Sequence, residues 1–388
     1  MIILAVAFNV VGIALSDGTF DERSLLEGRA YQDIPELSSD ALASGDFQSQ
    51  SESFLADHVP KRIGILVYNA AIQERIISLA NLPFSFPATP TRFGSSVLVV
   101  PEHSALVYNP FKKSKYDEAM CREAFSQWES FLKQFPNSKR CVAMVDRPNT
   151  TLASPAQKLV AETANYNYFR AFLTDALDEI ATLPDLSYTD ADTFFTDYYK
   201  TDHHWQIRGA VGAYEKIMLS LDLDAMELDE FVVAYKGPFY GSLTRNGLYA
   251  EYSDEILDVD YEASAFTVKV NGETADQSVV DESLAQDYEG YSKSQKYANA
   301  YAEYFHSDWA LLEFENPAAP EGTLLIIGDS YTNCMDRLFA ETFKHVCVVD
   351  PRHYDKGITD YAAELDPDYI IVIMGADNLT DSDVLSAL

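Results

Sequence analysis

Basic residues are scarce in this 388-residue chain: 28 Lys and Arg stand against 61 Asp and Glu, a formal net charge of −33. The acids are spread along the chain instead of gathered in a tail, so the surface as a whole repels polyanions. Nucleic acid is thereby excluded as a natural partner, and anionic lipid is disfavoured. Cysteine is nearly absent as well. Cys121, Cys141, Cys334 and Cys347 show no C-x-x-C spacing, so neither a zinc ribbon nor a thioredoxin-type site is supported. The four thiols allow two disulfides or none. No internal repeat is visible. The opening MIILAVAFNVVGIALSDG stops short of the roughly 20 apolar residues of a spanning helix. It matches the apolar region of a signal peptide or signal anchor over residues 1–18, although the usual basic flank is missing; a buried first strand is the alternative. Export, with an extracytoplasmic location, is the expectation.

What is present is a substantial core: 47% of residues are hydrophobic and 13% aromatic, enough for one large domain or two ordinary ones. Residues 19–50 are polar and irregular and read as an extended lead-in to a domain covering 51–388. Ser51 to Leu79 reads as helix with a kink at Pro60. Met120, Ala124, Trp128, Phe131 and Phe135 form a helical apolar stripe, followed by the strand-like run CVAMV. A helix is expected over about 155–180, and FFTDYYKTDHHW reads as a strand leading into a loop. Ile207, Val211, Tyr214 and Met218 then mark a helix beginning near His204. Residues 221–320 change character: alternating pieces such as FTVKVNGE suggest hairpins, and tyrosines crowd among acids, either as packing or as a sugar platform. This stretch reads as a mixed, β-rich insertion.

The last seventy residues carry the plainest pattern. The apolar runs TLLIIGDS, HVCVVD and YIIVIMG alternate with the helical segments YTNCMDRLFAETF and KGITDYAAEL. Strands apolar on both faces, alternating with helices, predict a three-layer α/β sandwich with a mainly parallel sheet. Ligands of such sheets bind beyond the carboxyl ends of the strands. Three polar clusters fall there: Gly328-Asp329-Ser330, Asp350 to His353, and Gly375 to Asn378.

Ser330 lies between an apolar strand and an expected helix start, where free amides and the helix dipole favour developing negative charge. It is a candidate nucleophile if a base can take its proton, and otherwise a helix cap. The stretch YYKTDHHWQIRG offers two of the chain's seven histidines. Neighbouring side chains diverge on a strand or a helix, which argues against His203 and His204 sharing one metal. In an extended segment Asp202 and His204 fall on the same side, so the carboxylate can fix the imidazole tautomer. His203 has no assigned task. Arg352 is a candidate substrate contact or simply a partner for Asp350.

TDHHW, followed by IIGDSYTN and VVDPRHYD, resembles the bacterial DHHW-motif proteins, which are similar to the alginate O-acetyltransferase group of the SGNH hydrolase superfamily. The likeness extends to FDERSLLEGRAYQDIPEL and SFLADHVPKR, and so to most of the chain. The resemblance implies an SGNH-like domain with permuted block order, Asp and His preceding Ser. It implies that Ser330 attacks an acyl donor, His204 serves as base and then acid, and Asp202 orients it. The oxyanion hole would use the Ser330 amide and a side chain such as Asn378, in a GADN that exchanges the last two letters of a G-x-N-D block. Tyr331, Asp329 and Arg352 are further candidates around the substrate. The implied activity is O-acetyl transfer to or from a cell-envelope or secreted polysaccharide. Deacetylation by the same triad and an idle carbohydrate-binding protein are the alternatives. No metal or cofactor is called for, and a membrane-bound O-acyltransferase is the implied partner.

Overall fold

A computed structural model describes residues 23–24, 26–27, 29–228, 230–234, 237–249, 251–280 and 297–388. The expected signal segment 1–18 lies outside these. A seven-stranded sheet organises the molecule. In chain order its strands are β1 (Lys139–Val145), β2 (Thr267–Val270), β3 (Glu273–Ala275), β4 (Leu311–Glu315), β5 (Glu321–Gly328), β6 (Phe343–Val349) and β7 (Tyr369–Gly375), arranged as β3-β2-β4-β6-β5-β7-β1. The strands β1, β7, β5 and β6 are parallel, whereas β4, β2 and β3 continue the sheet antiparallel from β6.

The parallel strands read as unbroken apolar runs because both their faces are covered. On β5, Leu324 and Ile326 join a core that includes helix Ile207–Ser220, while Leu325 and Ile327 enter the opposite core with helices Glu118–Leu132 and Tyr166–Leu177. The expected stripe on Glu118–Leu132 is buried at Ala124, Trp128 and Phe131, and Asp117 caps the helix by accepting from the Met120 amide at 2.9 Å. Trp128 also donates to the Leu379 carbonyl at 2.9 Å, so even the largest apolar side chain here leaves no donor unpaired.

Several expectations give way to local chemistry. The presumed kink at Pro60 is a full break between helices Asp46–Asp57 and Arg62–Asn81, with Lys61 in the left-handed region. Residues 39–44, expected to be extended, form a short helix capped by Ser38. The helix expected over 155–180 is confined to Tyr166–Leu177 by its Asn165 cap. Ala191–Asp197 is helix and not strand: Asp190 caps it through the Thr193 amide, and Phe194 stacks on Tyr198 with ring centroids 4.2 Å apart, the four-residue spacing of a helix face. The segment after β5 is a series of turns, and helix begins only at Asp336. All four cysteines are buried free thiols.

The 221–320 stretch is built into the core domain: its strands β2, β3 and β4 extend the central sheet, while Phe231–Val233 pairs with Leu257–Val259 and Phe239 bridges Asp254 apart from it. From β5 the chain passes to β6 on one side and then returns to β7 on the other. The carboxyl end of β5 is therefore the switch point where a crevice must open.

Candidate active site

Ser330 sits two residues beyond β5, at that switch point. The four parallel strands each deliver polar groups to the same edge: Asp329 and Ser330 after β5, Asp350 and Arg352 after β6, Asp377 and Asn378 after β7, and Asp146 and Arg147 after β1. The last pair was not singled out from the sequence. Polar residues directly behind an apolar strand are, however, the same signal that drew attention to the other three ends.

The histidine pair arrives on a loop between helices Ala191–Asp197 and Ile207–Ser220. Its base is pinched by an antiparallel bridge of Tyr198 with Trp205 and by the Gln206 amide donating to Asp197 O at 2.7 Å. Trp205 anchors it to the Ser330 turn, with Nε1 donating to the Tyr331 carbonyl at 3.0 Å. Asp254 clamps the front of the loop, accepting from the Lys200 and Thr201 amides at 3.1 and 2.8 Å and from the Thr201 hydroxyl at 2.6 Å. Burial raises the Asp254 pKa to about 6 against these hydrogen bonds. Gly241 lets a second segment approach. A Cβ there would lie 2.5 Å from Asp202 Cβ, so only glycine fits.

The three expected groups meet. Asp202 Oδ1 lies 2.6 Å from His204 Nδ1, and His204 Nε2 lies 2.8 Å from Ser330 Oγ. Asp202 is buried, which alone would raise its pKa, but the imidazoles of His203 and His204 and the Ser242 amide at 2.5 Å hold it well below the usual carboxylate range. An ionised Asp202 must accept from a protonated Nδ1, which leaves Nε2 as the acceptor for the Ser330 hydroxyl. The tautomer is thus fixed in the sense a general base needs. Tyr301 supports this ring from the side: its centroid is 4.0 Å from that of His204 with the planes 3° apart, and its hydroxyl donates to Ser330 O at 3.1 Å. Among the tyrosines of the 221–320 stretch, sequence gave no reason to choose this one.

The adjacent histidines do not diverge as expected. Residues 201–204 form bends instead of a strand, and the two rings lie 3.9 Å apart at 37°. Their ligating nitrogens and an Asp202 oxygen fall within 4.8 Å of one another, so spacing alone does not argue against a shared ion. Three of the four ring nitrogens are instead engaged: both of His204 by Asp202 and Ser330, and His203 Nδ1 by the Ser242 hydroxyl at 2.8 Å.

The second-rank candidates surround this core in different ways. Ser330 is not a helix cap, since the first helical residue is Asp336. No hydrogen bond occupies its amide among the described residues. Asp329 organises the turn, accepting from Tyr331 N and Gly375 N at 3.1 Å each and from Asn378 Nδ2 at 2.6 Å. Asn378 therefore reaches the Asp329 carboxylate and makes no bond to Ser330. Burial raises the Asp329 pKa, opposed by Arg352, Arg147 and Asn378. Tyr331 is fully buried and acts as a strut, its hydroxyl donating to His203 O at 2.6 Å. Arg352 pairs with both Asp350 and Asp308, the latter at 2.9 Å. Arg147 pairs with Asp377, lies 5.5 Å from the Tyr331 ring centroid and has a buried Nε with no partner.

A family model described as "DHHW protein" matches residues 188–349, a span holding Asp202, His204 and Ser330. The match spans 162 of the 388 residues, so the likeness to the DHHW family rests on this central part of the chain. No curated protein sequence matches the chain. Among solved structures, a DHHW family protein from Eubacterium siraeum DSM 15702 is similar at a TM-score of 0.59 and 17% identity, over 75% of this chain and 93% of that one. Bacillus cereus PatB1 is similar at a TM-score of 0.55 and 20% identity, covering 72% and 96%. The same protein solved with a sulfonyl adduct gives 0.56 and 19%, covering 72% and 95%. At these identities the likeness is one of fold alone.

Proposed function

We propose that this DHHW-family protein is a serine-dependent O-acyltransferase acting on a polysaccharide outside the cytoplasm, in an SGNH-like domain with permuted block order. The observation that carries the reading is the continuous relay from Asp202 through His204 to Ser330, with links of 2.6 and 2.8 Å. Buried carboxylate, fixed tautomer and hydroxyl acceptor are the parts a nucleophilic serine requires.

In the first half-reaction Ser330 Oγ attacks the carbonyl of an acyl ester while its proton passes to His204 Nε2. Asp202 stabilises the imidazolium. The oxyanion is met by the unoccupied Ser330 amide, with the second amide hydrogen of Asn378 as a further donor. Collapse breaks the ester bond, and His204 returns the proton to the departing alkoxide, leaving acyl-Ser330. In the second half an acceptor hydroxyl gives its proton to His204 and takes the acyl group, restoring the serine. Water in the acceptor's place makes the same site an esterase. A cleft of about 550 Å³ lined by Tyr116, Gln127, Asp377 and Asn378 lies next to the Asn378 side of the site, with Ser330 and His204 outside its lining. Polysaccharide as acceptor, acetyl as the acyl group and a membrane-bound O-acyltransferase as the donor's source follow the resemblance described above.

The deciding experiment supplies an acetyl ester and a panel of oligosaccharides and analyses the products. Acetylated sugar supports transfer. Free acetate without acetylated sugar supports hydrolysis, and turnover unaffected by Ser330→Ala removes the reading altogether. Because PatB1 carries a sulfonyl adduct, a sulfonyl fluoride provides an independent probe: it is expected to label Ser330 and to leave His204→Ala nearly unmodified.

A further inference from the structure

The helix Arg62–Asn81 is long and apolar enough to cross a membrane, yet only 11% of its most apolar window is buried. Its inner side, through Ala70 and Ile77, rests on the protein. Its outer side carries Ile65, Tyr68, Ile72, Ile76 and Leu79, with Tyr68 70% and Leu79 68% exposed. Beyond the helix the same apolar character continues off the helical pattern: Leu82, Phe84, Phe86 and Phe93 are exposed, and the Phe84 and Phe86 rings stack at 5.6 Å. An apolar helix left open to water on one side is costly, and so large a patch marks an interaction surface.

We propose that this face, helix Arg62–Asn81 with the Phe84–Phe86 tip, lies on a zwitterionic lipid surface. Charge distinguishes this occupant from its competitors. Each copy carries −33, so two copies meeting face to face repel each other, and anionic lipid is repelled likewise. The helix itself offers little charge: Arg62 is turned to Glu27, Glu74 is half-buried, and Arg75 is the exposed one. The apolar surface also runs past the end of the helix, through exposed Leu82, Phe84 and Phe86, farther than a helix-pairing seam on Arg62–Asn81 would reach. Because one side of the helix is packed against the protein, it lies along the interface instead of crossing it. The sequence of the undescribed residues 1–22 opens with MIILAVAFNVVGIAL, a second lipid-compatible stretch on the same chain.

The test uses the full chain. Tyr68→Cys, Leu79→Cys and Phe86→Cys are labelled with an environment-sensitive NBD fluorophore, the four native thiols being buried; exposed Ser130→Cys on helix Glu118–Leu132 serves as control. With pure phosphatidylcholine vesicles the three labels are expected to brighten and shift to the blue while Ser130→Cys stays unchanged. Ile72→Glu combined with Ile76→Glu is expected to weaken that response roughly tenfold or more while acetyl-ester turnover persists. Vesicle capture with silent labels would show that residues 1–22 alone hold the lipid, and would overturn the proposal. A concentration-dependent response without lipid, accompanied by a dimer in sedimentation, would assign the face to a second copy. Tighter binding on adding phosphatidylglycerol would overturn the zwitterionic assignment.

Discussion

At the scale of the residue, the two histidines of one motif occupy unequal positions. His204 has both nitrogens committed along the relay, whereas His203 lies tilted beside it and bonds Ser242. Ser330→Ala and His204→Ala should each cost about 10² to 10⁴ or more in kcat/KM. His203→Ala should cost roughly tenfold or less, because no proton passes through it. Steady-state kinetics on an acetyl ester decide this, and equal losses at 203 and 204 would refute the division of labour. A second prediction concerns Asp254 and Asp146, whose pKa values are raised by burial to about 6 and about 7. Unfolded aspartate titrates near 4, so between about pH 4 and 7 the folded chain holds the more protons. These two groups then make stability fall as pH rises through that window. The thermal midpoint of the wild type should drop more steeply from pH 5 to 7 than that of Asp254→Asn. Parallel curves would count against the assignment. Asp202, with its pKa held low, contributes in the opposite sense and only in more acid solution.

At the scale of the element, the triad depends on how closely two loops approach. Gly241 touches the Thr201–Asp202 backbone, and the next amide bonds Asp202 Oδ2. Gly241→Ala should push these segments apart and reduce kcat about 10²-fold while leaving the far-ultraviolet circular dichroism unchanged. Near-normal turnover would show that the approach is dispensable. The elements also show what the sequence made legible. The β5, β6 and β7 strands and helices Glu118–Leu132 and Ile207–Ser220 stood out because burial imposes a clear apolar period on each. Ser330, His204 and Asp202 were reachable because strand ends and short spacings are local signals. Arg147, Tyr301 and Ser242 were not, since their proximity to the triad comes from long-range closure and leaves no mark in the neighbouring residues. The misread Ala191–Asp197 helix belongs here as well. Its aromatic content favours strand, and one Asp190 cap and the Phe194–Tyr198 stack outweigh that propensity.

At the scale of the whole molecule, the stretch 221–320 changes standing. It adds three antiparallel strands to the sheet and supplies Gly241, Ser242, Asp254 and Tyr301 to the triad's surroundings. The insertion is thereby part of the framework around Asp202, His204 and Ser330. The other molecular property with a consequence is charge. A net charge of −33 sets up self-repulsion in the compact state. Raising sodium chloride from about 20 to 300 mM shortens the Debye length from roughly 20 to 6 Å and should raise the thermal midpoint. A midpoint that falls with salt would mean that the ion pairs, such as Arg147 with Asp377 and Arg352 with Asp350, outweigh the repulsion.

The separation of Asp202, His204 and Ser330 along the chain also sets a timetable. A chain that has emerged only as far as β4 already contains Asp202 and His204, but the hydroxyl bonded to His204 comes after β5, and Asn378 comes after β7. Ser330 Oγ meets the His204 ring only with the loop fastened by Asp254 and flanked by Tyr301 in place. A chain that ends before β5 lacks Ser330, so the Asp202–His204–Ser330 relay is assembled only as the sheet is completed.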